Sequence, residues 1–257
     1  MSWVETTSLS FTARHDSDQS DDAIAVLEDL EEHRGRLEPL FPRLPGNVTV
    51  ILHDSPVQLW FAHPLLLLSR MLASPSARRY VAAWYRAGEV HSLSPPVLRA
   101  LAAGADSERA MLLSPRRGFT ALVVGVNNPT LPPPSRPAAL GRSLRHAWLA
   151  QGASQYFSGQ VPLLRAAIAM RLRQGRVPFP PGVRDAPLLA GSVFDLLAAE
   201  RGERACVRLA THPYRTTRDA LEDSFDRKVS DTAHAWRAHL ERLSTPAPAV
   251  TPVGDPA

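Results

Sequence analysis

The chain carries one cysteine and one lysine in 257 residues, and no apolar run long enough to cross a bilayer. A single cysteine cannot close an internal disulfide, so nothing in the sequence requires an oxidising compartment. Cys206, between Ala205 and Val207, reads as a small buried apolar side chain rather than a nucleophile. Lys228 stands alone against 28 arginines, a skew that, with abundant Ala, Leu and Pro, reads as the coding bias of a GC-rich genome. The longest apolar stretch, residues 64–68, is hemmed in by His63, Ser69 and Arg70 and falls short of the ~20 residues a spanning helix needs. The opening Met-Ser-Trp-Val-Glu lacks the basic start, apolar run and small-residue cleavage site of a secretory signal. These absences set the expectation of a cytoplasmic protein that engages no membrane.

A net charge of +4 and a pI near 9.8 invite a nucleic-acid reading. Phosphate binding needs basic residues gathered on one face, because affinity comes from neutralising several neighbouring phosphates. Here the arginines are interleaved with 25 acids, so no nucleic-acid partner is expected. At 44% hydrophobic and 21% charged, the composition is that of a globular protein with a substantial core.

Leu9, Phe11 and Ala13 alternate with polar residues at strand period. A helix follows, its start marked by Asp18 to Asp22 and its apolar positions by Ile24, Leu27, Leu30 and Leu37. Residues 48–52 form the next strand. Residues 57–72 are helical with Pro64 dividing them. Strands are expected near 80–85 and 89–93 around Arg86-Ala87-Gly88, and a helix from Pro95 to Ala103. Residues 115–126 are strand or buried helix, which periodicity leaves open. Asn127 to Pro137, with three consecutive prolines, is an extended connection and the expected domain boundary. Helices are expected at 140–157, 162–174, 187–200, 203–210, 217–225 and 231–243, and a Pro-rich disordered tail from 245. The expected class is therefore α+β: a mixed α/β lobe with a small sheet over 1–130, a mainly helical lobe over 131–244, and the tail over 245–257.

The segment Trp148-Leu149-Ala150-Gln151-Gly152-Ala153-Ser154-Gln155-Tyr156 resembles the Trp-Leu-x-Glu-Gly-x-Ala-x-Tyr element of the gluzincin, or peptidase MA-like, family of zinc peptidases. The opening strand-helix-strand, and Asp231 through Trp236-Arg237 to Leu240, fit the same family. The resemblance implies a two-lobed fold with a zinc site in the cleft, and it places Gln151 where the family's third zinc ligand, a Glu, would stand. Read only as a helix face, Trp148, Leu149, Gly152, Ala153 and Tyr156 are simply a buried stripe.

The chemistry of that family is missing. Its zinc requires two imidazoles one helical turn apart and a carboxylate from a second helix. None of the nine histidines is followed four residues later by another, and there is no His-Glu pair to supply the general base. The ancestral ligand helix is placed at 115–126, with Thr120, Ala121 and Val124 where His, Glu and His would be. A neutral amide at Gln151 adds no negative charge to hold a dication. His234 and His239 are spaced badly for chelation and read as an exposed face. No Gly-x-Ser-x-Gly elbow or Gly-rich phosphate loop appears.

The expectation is a metal-free, cofactor-free and catalytically inactive protein with a cleft for an unknown peptide or protein partner. Glu89–Leu93 is the expected edge strand, with Glu89 and His91 beside the cleft and Trp148, Gln151 and Tyr156 facing it. Two alternatives stand: an active hydrolase with displaced ligands such as His91, His146 and an acid elsewhere, and an unrelated helical interaction protein.

Overall fold

Phe11, Ala13 and His15 are buried and Thr12, Arg14 and Asp16 are not, so the alternation expected of a half-buried strand builds β2 (Phe11–Asp16). The computed structural model describes residues 3–131 and 146–245, apart from the side chains of Pro64 and Leu65. It adds a strand that the pattern alone does not mark, β1 (Trp3–Thr7), antiparallel to β2. Leu9 lies in the bend between them, 93% exposed, so β2 starts two residues later than alternation from Leu9 implies.

Helix α1 (Ser20–Leu37) follows, with Asp21 and Asp22 in its first turn and Arg34 and Arg36 in its last, each favourably placed in the helix dipole. Its core face is Ala23, Leu27, Leu30 and Leu37, while Ile24 faces out. Strands β3 (Val48–His53), β4 (Ala83–Arg86) and β5 (Glu89–Leu93) complete a five-stranded sheet of order β1-β2-β3-β5-β4. The three inner strands β2, β3 and β5 run parallel, and β1 and β4 are antiparallel edges. Gly88, at φ +76, takes the left-handed conformation that lets the chain reverse between β4 and β5.

The expected edge at Glu89–Leu93 is therefore corrected: β5 is bonded on both sides, and β4 is the edge beside it. A strand that is parallel to β3 and also closes a hairpin to β4 must lie between them.

Helices α2 (Pro56–Ala62) and α3 (Pro64–Leu72) are separated at Pro64 as its missing N–H dictates. Next come α4 (Pro95–Leu101), α5 (Ala105–Leu112) and α6 (Ser114–Asn127). The ambiguous run at 115–126 is thus a helix. It shows no clean period because Phe119, Thr120, Ala121, Leu122, Val123 and Val124 are all buried. The remaining described elements are helical: α7 (Ala147–Phe157), α8 (Arg165–Arg173), α9 (Ala186–Leu189), α10 (Gly191–Arg201), α11 (Glu203–Thr211), α12 (Thr217–Phe225) and α13 (Val229–Ser244). The expected helix at 187–200 is two, meeting at Ala190. The expected start of a helix at 140, most of the Pro-rich connection and nearly all of the Pro-rich tail lie outside the described residues.

The fold is α+β, a small mixed sheet followed by helices. Buried apolar side chains from Phe11 to Leu240 form one continuous cluster. Asn128, fully buried, donates from Nδ2 to Ala210 O at 2.9 Å and His212 O at 3.1 Å, tying the end of α6 to the end of α11. Among the described residues no helix is long and apolar enough to cross a membrane.

Candidate functional site

Helix α6 lies close on the sheet because Gly118 has no side chain. A Cβ built there would stand 2.5 Å from Val90 Cγ1 in β5. On its other side α6 meets α7, and a second glycine sets that helix in place: a Cβ at Gly152 would lie 2.7 Å from Ala190 O and 2.8 Å from the Phe194 ring. Gln155, fully buried on α7, donates to Ala186 O at 2.7 Å and accepts from Gly191 N at 2.7 Å, which fixes both ends of α9, the helix that follows the segment 183–185. That segment is held from below by Arg171, whose Nε and Nη2 grip both Asp185 carboxylate oxygens at 2.6 and 2.8 Å, both side chains buried.

These constraints leave a cavity of about 110 Å³ bounded by α3, residues 80–81, β4, α6, Leu131, α7 and residues 183–187. Residues Ala147, Ala150, Gln151 and Ser154 reach it from α7, the i, i+3, i+4, i+7 stripe of one helix face. Arg117, Gly118 and Ala121 reach it from α6, and Ala83, Trp84 and Tyr85 from the edge strand. Among the described lining residues Arg117 is the only charged one.

Arg117 is 7% exposed, and its partners are neutral oxygens. Its Nη1 donates to Tyr80 O at 3.0 Å, Pro187 O at 3.4 Å and Gln160 Oε1 at 3.5 Å, and its Nη2 donates to Gln151 Oε1. No carboxylate pairs with it among the described residues, and no acceptor for its Nε is found there. Burial draws its pKa down to about 10, against the opposing pull of the nearby Tyr85 phenol, so the guanidinium remains a cation at neutral pH. The same burial pushes the Tyr85 hydroxyl up to about 12, and Arg117 acts against that shift.

Two of the hydroxyls in the cavity are spent on their own backbone: Ser114 Oγ donates to Met111 O at 2.5 Å and Ser154 Oγ to Ala150 O at 2.6 Å. No histidine or carboxylate lines the described wall to act as their base. Among the described residues no group of three His, Cys, Asp or Glu side chains could hold a metal ion. Cys206 is buried away from the cavity, and burial pushes its thiol up to about 12.

The expected site residues divide. Gln151 and Ala121 are brought together at the cavity. Thr120 and Val124 are not: Thr120 sits in the core with its Oγ1 2.8 Å from His33 Nε2 and donating to Arg116 O at 2.8 Å, and Val124 is 1% exposed. The α6 face beside Gln151 lies three residues earlier, at Arg117, Gly118 and Ala121. Trp148 and Tyr156 also point elsewhere. Trp148 reaches Thr217 Oγ1 at 3.4 Å, and Tyr156 stacks against Phe194 at 6.2 Å. At 100° per residue Tyr156 lies about 140° around α7 from Gln151.

Glu89 and His91 are corrected with the strand that carries them. Val90 faces α6, so its neighbours face the opposite side of the sheet. There His53 Nε2 meets His91 Nδ1 at 3.2 Å and His91 Nε2 meets Glu89 Oε2 at 3.2 Å. The His63 ring stands edge-on to His91, with centroids 3.9 Å apart. His146, the other displaced-ligand candidate, is buried at the start of α7. His239, expected on an exposed face, is buried and bonds Asp195 Oδ2 at 2.8 Å.

Sequence reading missed Arg117, Tyr85 and Gln160. No local signal marked Arg117, which stands beside Arg116 in a run that periodicity leaves open between strand and helix. No family model matches the chain, and neither a curated protein nor a solved structure matches it.

Proposed function

We propose that this chain is a degenerate gluzincin-like protein that binds an extended peptide beside β4 without cleaving it and without a metal. The observation that carries the reading is the Arg117 guanidinium on Gln151. If α7 is the family's third-ligand helix, the α6 residues facing Gln151 replace its His-Glu-x-x-His: Arg117 at the first imidazole, Gly118 at the general base and Ala121 at the second imidazole. A fixed cation there repels a dication, and a neutral amide, a glycine and a methyl group offer it no ligand.

Peptide binding rests on the edge of the sheet. One side of β4 pairs with β5, and among the described residues the other has no strand beside it in the sheet order, which is the geometry for adding a strand. Residues of that same strand line the cavity. A cytoplasmic location belongs to this reading too.

The test combines metal analysis with a digest. Purified native protein is expected to contain no stoichiometric zinc and to leave a mixed peptide library intact with or without added zinc, as read by mass spectrometry. Turnover abolished by a chelator would overturn the proposal.

A further inference from the structure

The protein contains an internal standard for what a buried arginine here requires. Arg171 uses Nε and Nη2 on the two oxygens of Asp185, and Arg116 uses the same two nitrogens on the two oxygens of Asp29. Arg117, more deeply surrounded than Arg116, offers Nη2 to a single amide oxygen and finds no acceptor for Nε among the described residues. Arg117 thus donates to four neutral oxygens and to no carboxylate among the described residues, and a buried cation so held at a cavity wall is a candidate anion site.

Size and shape narrow the anion. A cavity of about 110 Å³ is well below the ~300–1,000 Å³ of pockets that enclose a whole small ligand. It takes only the end of one, with the rest lying outside. Tyr85, Leu66 and Ala83 line it alongside Arg117, so β4, the edge strand among the described residues, forms part of its wall. A planar, two-oxygen anion matches a guanidinium fork bidentately.

We propose that the cavity captures the C-terminal carboxylate of an extended peptide, Arg117 serving as its counter-ion while the preceding residues pair along β4. This rests on the peptide-binding reading above and goes further by naming the feature recognised. Gln151 is then suited to its place: a Glu there would fill the fork from within and shut the ligand out.

The experiment compares libraries of N-acetyl tetrapeptides in three forms: free acid, C-terminal amide, and amide with an internal glutamate. Binding is read by calorimetry against the full chain. Free acids are expected to bind at least tenfold more tightly than either amide set, and the preference is expected to vanish in Arg117→Met. Because that variant can fail to fold, Gln151→Glu provides the second arm. It supplies an internal carboxylate, so it is expected to raise the melting temperature and abolish the preference.

Equal binding of acids and amides overturns the carboxylate assignment while leaving peptide binding intact. Internal-glutamate amides that match the free acids overturn the terminal assignment. Full preference retained in Gln151→Glu overturns the role of the fork. Absence of binding by all three sets at 1 mM, roughly −4 kcal/mol, overturns this proposal and the peptide-binding reading together.

Discussion

Replacing Gly118 by alanine would place a methyl group 2.5 Å from Val90 Cγ1, far inside the ~3.5–4.0 Å at which carbon atoms attract best. Two effects compete. In a helix interior alanine is favoured over glycine by about 1 kcal/mol. Against it, Val90 is fully buried in a paired strand, so the overlap is relieved only by rotating Val90 or pushing α6 off the sheet, at about 1–3 kcal/mol. The clash wins, for a net loss of about 1 kcal/mol or somewhat more. Val90→Ala alone removes two buried methyl groups and costs about 2 kcal/mol.

Together the two substitutions are expected to cost less than their sum. With both Val90 Cγ atoms gone, the new methyl meets Val90 Cβ at 3.6 Å, an ordinary contact. The favourable coupling is expected to be about 1–2 kcal/mol. Urea unfolding followed by circular dichroism measures each corner of the cycle. Additivity within about 0.5 kcal/mol would refute the argument that Gly118 is there for the close approach. It would also remove the steric reason why no glutamate, and so no general base, can occupy that position.

Three further outcomes follow from the same coordinates. Burial holds His53 and His91 at about 4, well below their usual 6.5, with neighbouring His63 lowering each further and the Glu89 hydrogen bond opposing the shift at His91. The unfolded chain therefore takes up protons that the folded chain refuses, so stability is full above about pH 6.5 and falls towards pH 4. Between pH 6.5 and 5, where most carboxylates stay ionised, the melting temperature should drop, and it should drop less in His53→Gln/His91→Gln; equal slopes would refute the assignment. Asp185→Asn strands Arg171 in the interior and should cost about 3–5 kcal/mol in chemical denaturation, with a loss below 1 kcal/mol showing that the pair is not what holds residues 183–187. Thr216→Ala removes the side-chain oxygen that accepts from Asp219 N at 3.1 Å at the start of α12, and should cost about 1 kcal/mol, as an unchanged unfolding midpoint would contradict.

The sequence by itself determined the elements whose signals are local. Period-two alternation marked β2, and Pro64 divided α2 from α3. It also showed that no His-x-x-x-His spacing is present, because spacing rules for histidines need no coordinates. What only the tertiary structure decided was direction and adjacency. Strand β5 reads as an edge until β4 is seen to close a hairpin beyond it, and that moves Glu89 and His91 to the far face of the sheet.

Helix α6 is buried on every side, so its sequence carries no period to say which residues face α7, and the face expected at Thr120 and Val124 proved to be three residues earlier. Gln151 was legible because a polar side chain stood at a position with a known neighbourhood. Arg117 was not, since it looks like any one of 28 arginines until the fold buries it, surrounds it with neutral oxygens and leaves its charge facing a cavity.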